Sequence, residues 1–226
     1  MDVYVNKVTT SYDTDLTVIT ANNIKENIGK TNKIIFETNA QCCDIMNNLI
    51  KEETIENLKN KKVIFCDLDG TLIETISGEP FPKGIWDMRI RFDVLDAIKK
   101  LNPEYILIVS NQGGIESGFV DRDDFRSKSE YITRAIREYC GCKCYGMYCE
   151  TNNKSDLYRK PNTGMLENLM ESYVGDDFDY IKQKSLMIGD ASGKKGQFSD
   201  SDKKTAENFG IDYMDVNDFV NTNWED

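Results

Sequence analysis

The feature that most constrains the fold is an apolar run that recurs along the chain and stops each time at a polar signature. Val63-Ile64-Phe65-Cys66 ends in Asp67, Tyr105-Ile106-Leu107-Ile108-Val109 ends in Ser110-Asn111, and Ser185-Leu186-Met187-Ile188 ends in Gly189-Asp190. A strand buried on both faces of a parallel sheet needs such a run, because both sets of alternating side chains leave water. Cys144 to Cys149 is a weaker candidate for a further strand. Between the runs lie amphipathic stretches. Val94, Leu95, Ile98 and Leu101 share one helical face, as do Ile132, Ile136 and Tyr139, and again Met165, Leu166, Leu169 and Met170. Strands alternating with such helices predict a three-layer α/β fold, a parallel sheet covered by helices on both faces. Ligands in these folds bind at the carboxyl ends of the strands, where all three polar signatures fall.

Residues 1 to about 60 read differently. Leu16 to Thr20 and Lys33 to Glu37 are expected strands, with a short helix over Asn22 to Ile28 between them. Cys42, Ile45, Met46, Leu49 and Ile50 predict an amphipathic helix through Lys51. This gives a division into residues 1–60, an N-terminal extension of the main sheet or a small α/β appendage, of no assigned chemistry, and a main domain, residues 61–226.

Whole-chain properties exclude several classes. At 226 residues the chain can bury one sizeable core. No apolar run approaches the roughly 18 residues of a spanning helix. The start Met1-Asp2-Val3-Tyr4 lacks the basic and apolar regions of a signal peptide. The expectation is a cytoplasmic protein with no membrane partner. Seven cysteines, an odd number in a chain this long, favour reduced thiols over a disulfide framework. The absence of histidine removes Ser/His and Cys/His nucleophile pairs and His-ligated metals. A formal charge of −11 argues against non-specific nucleic-acid binding. It leaves room for an enzyme that handles one nucleic-acid end through a local basic patch.

The chemistry starts at Asp67-Leu68-Asp69-Gly70-Thr71-Leu72. Two aspartates at i and i+2 after a buried strand can turn toward one point, and Gly70 permits the tight path that follows. One carboxylate can attack phosphorus, and the other can protonate the leaving oxygen and later deprotonate water. A carboxylate approaching a phosphate dianion needs charge neutralisation, for which Mg²⁺, a hard cation with oxygen ligands, is the expected cofactor. An Asp-Gly pair alone is an ordinary turn.

The full Asp-x-Asp-Gly-Thr after a β-run resembles the first motif of the haloacid dehalogenase (HAD) superfamily, and later segments match in order. Ser110-Asn111-Gln112-Gly113-Gly114-Ile115 is similar to the second motif, with Ser110, Asn111 and Gln112 as phosphate-binding candidates. Arg159-Lys160-Pro161 is similar to the third. There the resemblance implies that Lys160 neutralises the phosphate and Asp67 together, with Arg159 as a further phosphate-binding residue. Gly189-Asp190-Ala191-Ser192-Gly193 is similar to the fourth. The implied metal set is an oxygen of Asp67, the backbone carbonyl of Asp69, and Asp190. The implied catalytic set is Asp67 as nucleophile, Asp69 as acid and base, and Lys160.

Within the superfamily, three segments resemble the 3′-phosphatase domain of polynucleotide kinase-phosphatases. They are Ser77 to Pro82 with Trp86; Asn111 to Gly118 with Phe125 and Lys128; and Gly189 to Lys194 followed by Phe198-Ser199-Asp200-Ser201-Asp202 and Ala206 to Ile211. Asp202 takes the last position of that family's Phe-Ser-x-x-Asp element. The resemblance implies a substrate with a 3′-phosphorylated nucleic-acid end, DNA first. No P-loop of a kinase module is present. Gly189 to Lys194 has one residue too few, and Ile24 stands where the glycine preceding Gly29-Lys30-Thr31 is required.

The gaps from Leu72 to Tyr105 and from Gln112 to Cys144 are too short for a large lid, so a minimal cap is expected, open to a polymer end. Arg159, Lys160, Lys194, Lys195, Lys203 and Lys204 are candidates for local positive charge, and Phe81, Trp86 and Tyr158 for stacking on a base. Two other classes stay open. One is the small-molecule histidinol-phosphate and heptose-bisphosphate phosphatases, which often carry a zinc loop; Cys140, Cys142, Cys144 and Cys149 lie where that loop would be, without a Cys-x2-Cys knuckle. The other is a non-catalytic relative used for binding, against which the intact Asp67, Asp69, Lys160 and Asp190 speak.

Overall fold

The computed structural model describes residues 8–10, 34–36, 55–79, 81–175 and 177–224. The chain forms two compact units, residues 1–57 and 58–226. In the first, β1 (Val8–Thr10) pairs antiparallel with β2 (Ile34–Phe36). β2 falls within the strand expected at Lys33 to Glu37. The strand expected at Leu16 to Thr20 and the helices expected at Asn22 to Ile28 and Cys42 to Lys51 lie outside the described residues.

The second unit is built on a five-stranded parallel sheet. Its members are β3 (Val63–Cys66), β6 (Tyr105–Asn111), β7 (Lys143–Cys149), β8 (Ser185–Gly189) and β9 (Asp212–Asp215), in the order β7-β6-β3-β8-β9. The three apolar runs of the sequence are its three central strands. β3 aligns Val63 with Tyr105 on one side and with Ser185 on the other, so the three runs end level with one another.

Alternation along these strands builds two cores. Ile64, Cys66, Ile106, Ile108, Leu186 and Ile188 face one side, where they meet α1 (Phe92–Leu101), α3 (Arg122–Cys140) and α7 (Val216–Val220). Val63, Phe65, Leu107, Val109 and Met187 face the other, against α4 (Gly164–Tyr173), α5 (Phe178–Gln183) and α6 (Ser201–Phe209). This is the three-layer α/β architecture that the patterning predicts. The chain first winds outward from β3 to β6 and β7, then returns across the sheet to β8 and β9. Right-handed crossovers running in opposite directions cover opposite faces, which accounts for the two helix layers. The direction of winding reverses at β3, and such a switch point opens a crevice at the strand's carboxyl end.

After β3 the chain makes a small antiparallel hairpin, β4 (Ile73–Thr75) and β5 (Met88–Ile90). The short α2 (Gly113–Glu116) follows β6 directly. Among the described residues, the β3–β6 and β6–β7 connections hold only these elements, one 3₁₀ turn at Ile85–Asp87, α1 and α3.

Candidate active site

Asp67, the first residue past β3, is 8% exposed, and its Oδ1 accepts a hydrogen bond of 2.5 Å from Lys160 Nζ. Lys160 is itself buried, 4% exposed, and arrives from a loop far along the chain. Its Nζ also donates to Asp202 Oδ1 at 2.7 Å and to the carbonyl of Val109 at 2.9 Å. All three ammonium donors are therefore used. Asn111, at the end of β6, holds the loop in place. Its Nδ2 donates to the Lys160 carbonyl and its Oδ1 accepts from the Lys160 amide, at 3.0 and 2.9 Å.

Asp67, Asp190 and Asp202 each bring a carboxylate oxygen to within 4.8 Å of the others. Close packing of glycines makes this approach possible. A Cβ on Gly70, which has φ +82°, would lie 2.3 Å from Asp190 Oδ2. One on Gly189 would lie 2.3 Å from Asp202 Oδ2. Burial pushes the Asp67 carboxyl well above its usual range; Lys160 opposes the shift, and Asp202 and Asp190 add to it. Asp190 is pushed up to about 6, by burial first and then by Asp202. Burial lowers the proton affinity of Lys160, but Asp202 and Asp67 outweigh it and hold the ammonium above its ordinary pKa.

Two of these carboxylates thus pair with one buried ammonium, and Asp190 adds a third negative charge beside them. That excess of negative charge on hard oxygen donors fits a divalent cation such as Mg²⁺. Asp202 has both oxygens engaged, with Lys160 and with the amide of Ala191, which leaves it as the anchor of Lys160. Among the described residues, no group of three or more cysteines meets the same 4.8 Å criterion. Cys66 and Cys144 are buried, which raises both thiols, Cys144 to about 12. The described cysteines are free thiols.

Asp69 is held separately. Its Oδ2 accepts from Gln112 Nε2 at 2.6 Å, and the same nitrogen lies 2.8 Å from Ser110 Oγ. Ser110 and Gln112 are both buried. Asp69 Oδ1 is buried without a hydrogen bond, 3.6 Å from Lys128 Nζ of α3. Arg159 points elsewhere, its Nη1 donating to the carbonyl of Thr151 at 2.6 Å. Several lysines expected to supply open positive charge are paired: Lys194 with Asp215 and Asp218, Lys203 with Glu207, Lys204 with Asp200. Phe81, Trp86 and Tyr158 are exposed.

The profile of the polynucleotide kinase 3 phosphatase family matches residues 62–219, which spans β3 through α7 and every side chain just described. The chain belongs to the polynucleotide kinase 3 phosphatase family. A bifunctional polynucleotide phosphatase/kinase of Schizosaccharomyces pombe is 33% identical over 163 residues, 69% of this chain and 36% of that protein. The histidine biosynthesis bifunctional protein HisB of Legionella pneumophila is 29% identical over 162 residues, 69% of this chain and 41% of that one. The chain therefore spans well under half the length of these relatives. A D,D-heptose 1.7-bisphosphate phosphatase from B. bronchiseptica, complexed with magnesium and phosphate, superposes with a TM-score of 0.52 at 20% identity, covering 67% of this chain and 78% of that one. The fold is that of HAD phosphatases, and the 3′-phosphatase family chain is a phosphatase by membership.

Two residues that the structure brings to this candidate site lie beyond the expected site set. Asp202 belongs to the Phe-Ser-x-x-Asp element, and Lys128 interrupts the apolar stripe of α3. No helix among the described residues is long and apolar enough to cross a membrane.

Proposed function

We propose that this chain removes 3′-phosphates from nucleic-acid ends, DNA first, in two steps through an aspartyl-phosphate on Asp67. Residues 61–226 are the phosphatase domain and residues 1–60 an appendage to it. The observation that carries the reading is the pairing of Asp67 with a fully engaged Lys160, while Asp69 is held apart by Gln112. A nucleophile and a proton carrier need these different surroundings.

In the first step an Asp67 oxygen attacks phosphorus in line. The bond to the 3′-oxygen breaks, its electron pair stays on that oxygen, and Asp69 supplies the proton. In the second, Asp69 takes a proton from water as the water oxygen attacks phosphorus, which frees Asp67 and phosphate. Lys160 and Ser110 hold the charge of the transferring phosphoryl oxygens. Asp67, Asp190 and the Asp69 backbone carbonyl would hold Mg²⁺, which offsets negative charge as nucleophile and phosphate meet. Phe81, Trp86 and Tyr158 are exposed for stacking on terminal bases. The phosphatase works inside the cell, where its thiols stay reduced.

The small-molecule reading draws on the likeness to HisB. Phosphate release from a 3′-phosphorylated oligonucleotide, compared with nucleotides and sugar phosphates, separates the two. A preference of at least tenfold for the oligonucleotide is expected, and equal or faster turnover of the small compounds would remove the 3′-end assignment. Chelation should stop turnover and Mg²⁺ should restore it; activity that survives chelation would remove the cation from the account.

A further inference from the structure

Helix α3 buries a charge in its apolar face. Its buried residues are Phe125, Lys128, Ile132 and Ile136, and the Lys128 side chain is 9% exposed. Taking an ammonium out of water costs several kcal/mol unless a partner offsets it. The partner is Asp69: Lys128 Nζ lies 3.6 Å from Asp69 Oδ1, with the Phe125 ring centroid 4.9 Å away on another side. Asp69 Oδ1 is buried and takes no hydrogen bond, while Oδ2 accepts from Gln112. The lysine thus supplies charge to that oxygen from beyond hydrogen-bond length. It plays no part in the Asp67–Lys160–Asp202 cluster.

We propose that Lys128 is a positioning residue for Asp69, holding the carboxyl together with Gln112 where it meets the leaving oxygen. The inference rests on the acid role given to Asp69 above. As phosphorus transfers to Asp67, the electron pair of the breaking P–O bond moves to the leaving oxygen and the Asp69 proton follows it. The product of that transfer is an Asp69 carboxylate. A carboxyl already held in place delivers the proton without rearrangement. The benefit scales with how much the leaving group needs the proton. An alkoxide from a 3′-phosphate needs it in full, whereas p-nitrophenolate leaves without it.

The test is steady-state kinetics of Lys128→Met, Lys128→Arg and Asp69→Asn on a 3′-phosphorylated oligonucleotide and on p-nitrophenyl phosphate. Lys128→Met should lower kcat/KM on the oligonucleotide about 10²-fold, and on p-nitrophenyl phosphate by under about fivefold. Lys128→Arg should recover most of the loss. Equal losses on both substrates, or no loss on either, would overturn the assignment. Should Lys128→Met fail to fold, Lys128→Gln carries the same comparison with a polar, uncharged end. Asp69→Asn separates the two layers of the account. If it too loses kcat/KM, which covers the steps up to departure of the alcohol and not the hydrolysis that both substrates share, equally on both substrates, the acid role of Asp69 falls and the role of Lys128 with it. If Asp69→Asn is selective and Lys128→Met is not, only the role of Lys128 falls.

Discussion

Two buried lysines, at opposite ends of the same sheet, make the same bond for different reasons. Lys61, just before β3, donates to Asp212 Oδ2 at 2.5 Å and to the carbonyl of Gln183 at 2.9 Å. Lys160, just beyond the other end of β3, donates to Asp67 Oδ1 at the same distance. The surroundings differ. The Asp212 side chain is 53% exposed, so water shares the burden of its charge. The side chains of Asp67 and Asp202 are 11% and 1% exposed, and Asp190 joins them. Folding needs no such concentration of carboxylates, since an apolar replacement of a buried ion pair is often as stable. The amino end of the sheet carries a pair that ties strands together; the carboxyl end carries an excess of negative charge that only chemistry requires.

The contrast can be broken by substitution. The largest effect is expected at Asp67→Asn, which keeps the shape and removes the proposed nucleophile. Turnover should fall by about 10³-fold or more with the thermal transition nearly unmoved. Retained activity would exclude Asp67 as the nucleophile. Lys160→Met comes next: besides losing about 10²-fold or more in kcat, it strands Asp67 and Asp202 without their cation. Urea unfolding in the absence of divalent metal should show a loss of about 3–5 kcal/mol. A midpoint equal to that of the unsubstituted protein would mean the carboxylates are not paired as described.

Gly189→Ala sharpens the comparison from within the site. The new Cβ would meet Asp202 Oδ2 at 2.3 Å and Asp202 Cβ at 2.7 Å, forcing the anchor of Lys160 to move. A loss of about 1–3 kcal/mol by thermal melting, together with slower turnover, is expected; an unchanged kcat would show that Asp202 does not hold Lys160 in its working position. The smallest effect belongs to Lys61→Met. Its partner is half exposed, so the cost should be about 1 kcal/mol and kcat should stay within about twofold. A catalytic defect there would erase the distinction between the two ends.

What the sequence disclosed follows the same physics. β3, β6 and β8 are legible because each is covered on both faces, which forces an unbroken apolar run. β7 and β9 are edge strands. β7 carries Tyr145, Gly146 and Tyr148 at partly exposed or exposed positions, and β9 is only Asp212 to Asp215, so neither pattern is apolar throughout. The β4–β5 hairpin has strands of three residues each, too short for a period to show. Asp67 and Asp190 are legible from their place at strand ends. Asp202 is marked only by the Phe-Ser-x-x-Asp element, because it sits on a helix that reaches the site through folding. Lys128 had a readable signal: at the spacing of Phe125, Ile132 and Ile136, a lysine occupies a core position and asks for a partner. The direction of the Arg159 side chain, toward the Thr151 carbonyl, has no counterpart in the local sequence.

The central claim is that phosphorus passes through Asp67. Acid quenching during turnover of a 3′-phosphorylated oligonucleotide, followed by peptide mapping by mass spectrometry, tests it directly. The account predicts a phosphorylated peptide containing Asp67, absent from the Asp67→Asn variant. Phosphorylation of another residue, or product burst kinetics with an unmodified Asp67, would contradict it.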